Sequence, residues 1–306
     1  RPPPAPRRRP ASRCRSGRCG GSPPGSRRRS RLADPAAPAA AQAFYRYMAN
    51  GGFDLALQMH GDGRLSNEIV ARFGARLTVG FCPSETGCLS EGRFIPYPVG
   101  EPEIRRLLRL ISFLGLSLCG EELEFPITTV EQQRAEQLLQ EHGLRRHAYV
   151  CIHPGARAAA RRWFPERFAA VADNLAKRGL RVVLSGSADE LELTRRVAKT
   201  MCSPSLNVAG VLTLGEMAAL FAAARLLICN DTGVSHMAAA LHVPSVVVFT
   251  GSSPQRWAPL DSVRHRVVSV SVPCRPCTHT ECPIGHSCAD GVTGGAVIRE
   301  RNFLIG

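Results

Sequence analysis

The residues with the clearest chemical potential lie in the octapeptide Cys229–His236. An apolar run precedes it and a helix-like run, 237–241, follows, so the pattern predicts a strand, a polar loop and a helix. Such a loop directs free backbone N–H groups and the positive end of the helix dipole toward a bound anion. Gly233 lets the backbone approach that anion, Asp231 is an acceptor for sugar hydroxyls, and His236 is a donor. The spacing therefore favours a phosphorylated ligand.

A capped helix without a ligand would produce the same octapeptide. Asp231 or Thr232 would then be the N-cap residue, and His236 a packed residue of the first turn. Short motifs often match by chance, so the octapeptide alone leaves both interpretations open.

The elements around the octapeptide favour the ligand. Repeated strand–helix units after His147 predict a parallel sheet with helices on both faces, and such sheets bind ligands at the carboxyl ends of their strands. Three polar, glycine-containing loops lie at those ends: His153-Pro154-Gly155, Ser185-Gly186-Ser187 and Asp231-Thr232-Gly233. The predicted strands are 148–153, 180–184, 206–208, 222–228 and 245–249, and the predicted helices are 165–177, 189–201 and 214–224.

The ligand class follows from what the loops contain. Neither the dinucleotide fingerprint G-x-G-x-x-G nor the P-loop G-x-x-x-x-G-K-[ST] is present. Three arginines follow the first loop and suggest a clamped diphosphate. Solvated surface residues remain the alternative for Arg157 and Arg161, whereas Arg162, beside Trp163, is predicted to be functional.

The charge of the chain is concentrated in one segment. The net charge is +14, but residues 1–33 hold eleven arginines and no acidic residue, which leaves +3 for the rest. We predict that residues 1–40 form a disordered Arg/Pro-rich tail. It is either a nucleic-acid or membrane arm or, the reading we favour, a non-native leader, so no nucleic-acid partner is expected. No signal peptide and no 18-residue apolar run are found.

Twelve cysteines are too dilute for a disulfide scaffold and suggest a reducing cytosol. Four of them cluster as Cys274-x2-Cys277-x4-Cys282-x5-Cys288, with His279 and His286 among them. The intervals leave two alternatives open, a structural zinc site and free thiols of a surface loop. Neither is expected to be catalytic.

The region before residue 147 is less regular. We predict a strand at 53–60, a glycine-rich turn, and a helix from Ser66, as N-cap, to Phe73. A short strand at 77–81 and a Pro/Gly-rich loop through Gly100 follow. Helices are predicted at 103–116 and 130–143, the second ending at Gly143.

Residues 148–260 resemble the C-terminal half of glycosyltransferase family 9, the heptosyltransferases of lipopolysaccharide core synthesis. The likeness extends more weakly to 53–81, through Gln58-Met59-His60-Gly61 and Ser66-Asn67. The matching motifs are His153-Pro154-Gly155, Arg161 to Phe168, Leu184 to Ser187, Asn230 to His236, Ala238 to Leu241, Pro244 to Phe249 and Trp257 to Leu260.

The resemblance implies an α/β protein of GT-B type, with two Rossmann-like domains facing a cleft. The acceptor-side domain would be 41–146 and the nucleotide-sugar domain 147–306. The implied reaction is inverting transfer of a heptose, typically from ADP-heptose, to a lipopolysaccharide core acceptor, with no catalytic metal and no cofactor. The enzyme would be cytoplasmic and peripheral to the inner membrane. The implied donor-binding residues are His153, Pro154, Gly155, Arg162, Ser185, Gly186, Glu190, Asp231, Thr232, Gly233, Val234 and His236.

The general base is where this chain departs from the family pattern. The family's N-terminal domain opens with a strand and a Gly-Asp loop that supplies the base, and the region before Phe53 shows neither. Asp62 is the comparable carboxylate and is the predicted catalytic residue. The N-terminal domain is therefore expected to be incomplete. The alternative function is a catalytically impaired nucleotide-sugar-binding protein of the same fold.

Overall fold

Strands alternate with helices in the computed structural model, which describes residues 39–84, 88–89 and 92–305. The chain divides into a smaller unit that ends at Tyr97 and a larger unit that begins at Pro98. Two helices predicted for the acceptor-side domain therefore group with the larger sheet. Whether 41–146 acts as an acceptor-side domain stays a prediction.

The described residues form helices and strands throughout both units. In order they are α1 (Ala39–Ala49), β1 (Leu55–Gln58), α2 (Ser66–Ala71), β2 (Leu77–Cys82), β3 (Arg93–Pro96), α3 (Glu103–Phe113), α4 (Thr129–Glu141), β4 (Tyr149–His153), α5 (Pro165–Ala176), β5 (Arg181–Leu184), α6 (Leu191–Thr200), β6 (Ser205–Asn207), α7 (Leu214–Ala222), β7 (Leu226–Asn230), α8 (Gly233–Ala240), β8 (Ser245–Val248), α9 (Pro254–Trp257), β9 (His265–Val268), α10 (Ser287–Asp290) and α11 (Gly294–Ile305).

The larger unit is built on a six-stranded parallel sheet in the order β6-β5-β4-β7-β8-β9. This is the order of a doubly wound Rossmann sheet, in which the chain reverses direction between its first and fourth strands. The reversal lies between β4 and β7, where His153 is paired with Cys229. The carboxyl ends of these two strands are therefore where a ligand crevice is expected.

Two hydrophobic layers cover this sheet because successive strand residues point to opposite faces. On one face Tyr149 and Cys151 pack with side chains of α4, α7 and α8. On the other face Val150 and Ile152 pack with side chains of α5, α6 and α11. Each large apolar side chain buried this way contributes about 1.5–3 kcal/mol, so the strand ends rest on a rigid base.

The smaller unit contains a three-stranded parallel sheet in the order β1-β2-β3. The amide of Gln58, at the end of β1, is 1 % exposed and links three segments. It donates hydrogen bonds to the carbonyl of His60 and the hydroxyl of Ser66, and it accepts one from the N–H of Phe81. This buried side chain therefore shapes the turn after β1.

The two parallel sheets confirm the predicted α/β fold class. Several elements were not predicted: α1; β3, which lies within the predicted loop; and β9 and α11. The predicted strand 222–228 was misplaced, because the alanines extend α7 to Ala222 and β7 begins at Leu226.

Ser66 was also assigned wrongly as an N-cap residue. It is the first residue of α2, and its hydroxyl donates to the carbonyl of His60 at 2.8 Å instead.

Other predictions concern the chain as a whole. Residues 1–38 of the predicted tail lie outside the described residues. Within the part that is described, no helix combines the length and apolar character needed to cross a membrane. Cys82 and Cys88 form a disulfide, which the expectation of reduced thiols did not include. A cytoplasmic location stays a prediction.

Candidate functional site

A cavity of about 840 Å³ opens at the carboxyl ends of β4, β5 and β7. Its floor and rim come from the three strand-end loops and from the first turn of α8. Eight of the predicted donor-binding residues line it: His153, Arg162, Gly186, Glu190, Thr232, Gly233, Val234 and His236. The other four, Pro154, Gly155, Ser185 and Asp231, lie in the same loops behind this lining.

His153 ends β4 at the bottom of the cavity and is 5 % exposed. Its Nδ1 shares a hydrogen bond of 3.2 Å with the hydroxyl of Ser185, which is completely buried. Its Nε2 lies 3.7 Å from a carboxylate oxygen of Glu190. Burial lowers the pKa of His153, and the Glu190 carboxylate opposes that shift. The ring is therefore a neutral hydrogen-bonding group at neutral pH.

Glu190 is held in place by a capping box. It accepts a hydrogen bond of 2.9 Å from the N–H of Ser187, which caps the short 3₁₀ turn Ala188–Glu190 before α6. A methyl group on Gly155 would lie 2.1 Å from Oε1 of Glu190. An alanine at position 155 would therefore force this carboxylate to move away from the first loop.

The first turn of α8 forms the opposite wall. Thr232 is its N-cap residue, and its hydroxyl accepts a hydrogen bond of 3.4 Å from the N–H of Val234. Gly233 is exposed, with nothing within 4 Å of the position a Cβ would take. The helix begins four residues earlier than the predicted run 237–241. The positive end of its dipole therefore lies at the cavity, where a ligand atom has room to approach Gly233.

Asp231 joins the third loop to the loop that follows β8. It is 7 % exposed, and its carboxylate accepts a hydrogen bond from the hydroxyl of Ser252. Burial raises the pKa of Asp231, opposed by the Ser252 hydrogen bond and by the charges of His236 and Arg161. Burial likewise lowers the pKa of His236, opposed by Asp231. Ionisable groups perturbed by burial beside a cavity indicate a functional site.

The arginines are distributed unequally. Arg157 and Arg162 line the cavity. Arg162 Nε donates to the carbonyl of Ala156 at 2.8 Å, which fixes the guanidinium beside the first loop. Arg161 lies close enough to Asp231 for its charge to oppose the rise in the pKa of that carboxyl group. It is not part of the cavity lining. The two lining guanidiniums give the cavity positive charge along one side.

Asn230 was not predicted as a site residue. It is completely buried at the end of β7. Its Nδ2 donates to the carbonyls of Pro154, at 2.8 Å, and Gly155, at 3.3 Å, and its Oδ1 accepts from the N–H of Trp163 at 2.9 Å. The sequence signal that could have identified Asn230 is its position in the polar run that follows an apolar strand.

Two further features were missed. Ser252 follows β8 by four residues, and the rule applied to the other strand ends would have found it. An apolar wall lies opposite the polar loops, and part of it comes from an extended segment before α4 that has no periodicity to read. The wall is formed by Leu123, Phe125, Leu212, Leu214, Met217 and Met237.

A second cavity, of about 590 Å³, shares His236 and Leu123 with the first. Glu103 of α3 lies in its wall and accepts hydrogen bonds of 2.7 and 3.1 Å from Arg256. The guanidinium of Arg256 stacks over the ring of Trp257.

Asp62, the predicted general base, belongs to the smaller unit. Its side chain is 36 % exposed, and one carboxylate oxygen lies 3.3 Å from Nε of Arg64. Its catalytic role stays a prediction.

The clustered cysteines of the described chain are not arranged as a metal site. Cys274, Cys277, Cys282 and Cys288 are free thiols. Across the described residues, no three or more His, Cys, Asp or Glu side chains are arranged to hold a metal ion. The segment instead packs beside the site: the N–H of Cys277 donates to the carbonyl of Gly251 at 2.7 Å.

A comparison with protein families agrees with this site, which combines three strand-end loops, a helix N-terminus and flanking arginines. The profile of Glycosyltransferase family 9 (heptosyltransferase) matches residues 41–287. The chain belongs to glycosyltransferase family 9. The match includes every residue predicted above for the site.

Similarity to individual proteins is consistent with membership of family 9. Lipopolysaccharide heptosyltransferase 2 of Escherichia coli (strain K12) is 31 % identical over 158 residues, which cover 50 % of this chain and 45 % of that protein. The chain therefore spans about half the length of such curated relatives.

Solved structures support the fold. A glycosyl transferase family 9 protein from Veillonella parvula superimposes with a TM-score of 0.69 at 21 % identity, over 86 % of this chain and 77 % of that one. The E. coli ADP-heptose LPS heptosyltransferase II gives 0.62 at 22 % identity, over 86 % and 80 %. This likeness, together with the parallel sheets, confirms the predicted GT-B fold class for this chain.

Proposed function

We propose that this chain is a glycosyltransferase that transfers a heptose, or a related sugar, from a nucleotide-activated donor to a lipopolysaccharide core acceptor. The donor would be ADP-heptose, the sugar nucleotide named for the E. coli enzyme of similar fold. The transfer would be inverting and independent of a catalytic metal. The observation that carries the proposal is the 840 Å³ cavity, because it joins cations, a helix N-terminus and hydroxyl acceptors at the switch point of a Rossmann sheet.

The diphosphate of the donor would occupy the cationic side of the cavity. Arg162 and the first turn of α8, at Thr232 and Gly233, would bind its oxygens, and His236 would donate a further hydrogen bond. A bound diphosphate would favour the protonated form of His236. Fixed donors of this kind stabilise the negative charge that grows on the departing nucleotide.

The hydroxyl groups of the donor would meet the acidic side. Glu190, beside His153, is placed to accept from a ribose, and Asp231 is proposed to accept from the transferred sugar. The apolar wall that includes Phe125 and Met217 is suited to the flat face of a nucleobase. These assignments use polar groups for orientation and apolar groups for contact area.

In the proposed reaction the acceptor hydroxyl loses its proton to a general base and attacks the anomeric carbon. The bond between that carbon and the phosphate oxygen breaks, and the nucleoside diphosphate leaves with the electron pair. Asp62 is the proposed base. Contact with the inner membrane, where such an acceptor is made, is part of the same proposal.

Calorimetric titration of the full chain with ADP, UDP, GDP and ADP-heptose, followed by a transfer assay on heptose-deficient lipopolysaccharide, tests the proposal. Binding with transfer supports it in full. Binding without transfer leaves a nucleotide-sugar-binding protein and removes the enzymatic part. Binding of UDP or GDP in preference to ADP would replace the proposed nucleotide, and no binding to any of them would overturn the donor site.

A further inference from the structure

We infer that Asn230 is a positioning residue, whose buried amide holds both ends of the loop between β4 and α5, which carries the arginines of the cavity. This inference rests on the proposed donor site for its functional meaning. It concerns a side chain that does not line the cavity and so would act through its neighbours.

The first step is the set of contacts. One amide group bonds to the backbone of two separate segments, the turn Pro154-Gly155 and the residue Trp163. These partners lie 67 to 76 residues from Asn230 in the chain. The two segments are the two ends of the loop that joins β4 to α5, and this loop also contains the 3₁₀ turn Ala159–Arg161 and the hydrogen bond from Arg162 Nε to the carbonyl of Ala156. The amide of Asn230 adds a direct link from both ends of the loop to the end of β7.

The second step is what the segments carry. Arg157 follows the turn, and Arg162 immediately precedes Trp163, whose own position is fixed by its buried indole and a hydrogen bond of 2.9 Å from Nε1 to the carbonyl of Val292. A shift of either segment would therefore move a cation of the cavity.

The third step is energetic. A buried amide is tolerated because all its strong hydrogen-bonding directions are used, and removing it leaves an N–H and two carbonyls without partners. Water would have to enter, or the segments would have to separate. Either outcome loosens the geometry in which the cations face a ligand.

The decisive variant is Asn230→Asp. It keeps the shape and the acceptor for Trp163, but it replaces the donor with an oxygen that faces two carbonyl oxygens. The ionised form is repelled by both, whereas the protonated form can donate to one of them. We therefore expect weakened ADP binding at pH 8 by about tenfold or more. The loss should shrink as the pH is lowered toward 5.5.

The ratio of variant to parent affinity isolates this effect, because both proteins carry the same other titrating groups. The groups near position 230 on the surrounding elements are His153, Glu190, Arg161, Arg162, Asp231 and His236. Asn207→Asp is the matched control. Asn207 also ends a strand and uses its amide, donating to Thr194 at 3.0 Å and accepting from Ala209 at 3.1 Å. Its affinity ratio should stay near one at every pH.

Hydrogen exchange of the same proteins separates the inference from the proposed function. In Asn230→Asp the amides of 155–163 should exchange faster, and those of the strands should not. Unchanged exchange there, or ADP affinity equal to that of the parent, would overturn the inference. If the parent itself does not bind ADP, the proposed function fails, and exchange in 155–163 still decides whether Asn230 holds the loop.

Discussion

Two buried amides organise strand-end loops in this protein, Gln58 in the smaller unit and Asn230 in the larger. Each lies at the end of a parallel strand, and each bonds to more than one neighbouring segment. The loop shaped by Gln58 carries the exposed pair of Asp62 and Arg64. The loops linked by Asn230 surround ionisable side chains that are buried and whose pKa values are shifted.

The comparison of Gln58 with Asn230 shows that ordering a loop does not by itself build a binding site. A buried amide with satisfied partners is a general way to order a turn, and both units use it. Burying a carboxylate and two imidazoles disfavours their charged forms and costs stability. That cost is expected where charged ligand groups must be recognised, so the larger unit is where ligand binding is proposed.

The largest expected effect comes from removing the buried carboxylate of the larger unit. Asp231→Ala should weaken binding of ADP-heptose by about 100-fold or more, because the acceptor for the sugar hydroxyl is lost. Its stability should change little, because relief from burying a carboxylate offsets the lost bond to Ser252. Titration calorimetry and urea denaturation measure the two effects.

Asp173→Ala provides the control for that experiment. The carboxylate of Asp173 accepts hydrogen bonds from the N–H groups of Cys202 and Ser203, remote from the cavity lining. This variant should lose stability and keep its affinity. Unaltered donor affinity in Asp231→Ala would remove the main assignment of the site.

Two glycines of the larger unit sharpen the comparison further. Gly155→Ala forces a methyl group against Glu190 and should lower the free energy of unfolding by about 1–3 kcal/mol while weakening ADP binding.

Gly233→Ala places its methyl group in open space and should change the free energy of unfolding by no more than about 1 kcal/mol, in the stabilising direction. It should still weaken ADP binding, because the added methyl group occupies the approach of the phosphate. Equal ADP affinity in Gly233→Ala and the parent would contradict the placement of the diphosphate at α8.

A glycine of the smaller unit should show the opposite behaviour to Gly233, a loss of stability without a loss of ADP affinity. Gly63 has a φ of +88°, and a Cβ there would lie 2.2 Å from the carbonyl oxygen of Phe81. Gly63→Ala should destabilise the smaller unit by about 1–3 kcal/mol and leave ADP affinity unchanged. Hydrogen exchange resolved by segment, with a parallel ADP titration, measures both. A loss of ADP affinity would mean that the smaller unit also supports the donor site.

A buried histidine outside the main cavity should make the stability of the larger unit depend on pH. Burial lowers the pKa of His265 from 6.5 to about 4, opposed by Asp261, and its Nδ1 lies 2.8 Å from the hydroxyl of Ser245. Because the folded state favours the neutral ring, this contribution to stability is complete above pH 6.5 and is lost as the pH falls toward 4.

His265→Asn keeps a hydrogen-bonding group near Ser245 and cannot titrate. The stability of the parent relative to this variant should therefore fall by about 1–3 kcal/mol between pH 7 and pH 4.5. Denaturation curves at several pH values measure the difference. A constant difference across that range would show that His265 is not held neutral by burial.

Much of the larger unit could be predicted from the sequence. Its strands are buried on both faces and read as short apolar runs, and the glycines and polar residues that follow them mark the strand ends. The parallel order then requires those ends to meet at one edge, which is why the loops at His153, Ser185 and Asp231 were expected to lie together. The periodicity of α5 and α6 predicted their bounds closely.

The remainder depends on tertiary contacts that no local pattern encodes. Asn230 bonds to residues far away in the chain, and which carbonyl it reaches depends on the register of β4 against β7. The wall residues Leu123 and Phe125 lie in the segment between α3 and α4, which contains no helix or strand. The position of this segment against the cavity depends on tertiary packing. Helix α11 begins with two glycines and has only a weak apolar stripe, so its sequence lacks the usual signals of a helix.

The positions of the two tryptophans give the protein an intrinsic optical reporter. Trp163 is completely buried in the sheet core, whereas Trp257 is half-buried beside the imidazole of His236. Their fluorescence should therefore separate, with a blue-shifted, quencher-resistant component from Trp163 and a red-shifted, quenchable one from Trp257. Since a protonated imidazole quenches indole emission, binding of the proposed diphosphate beside His236 is expected to lower the emission of Trp257 without any added label.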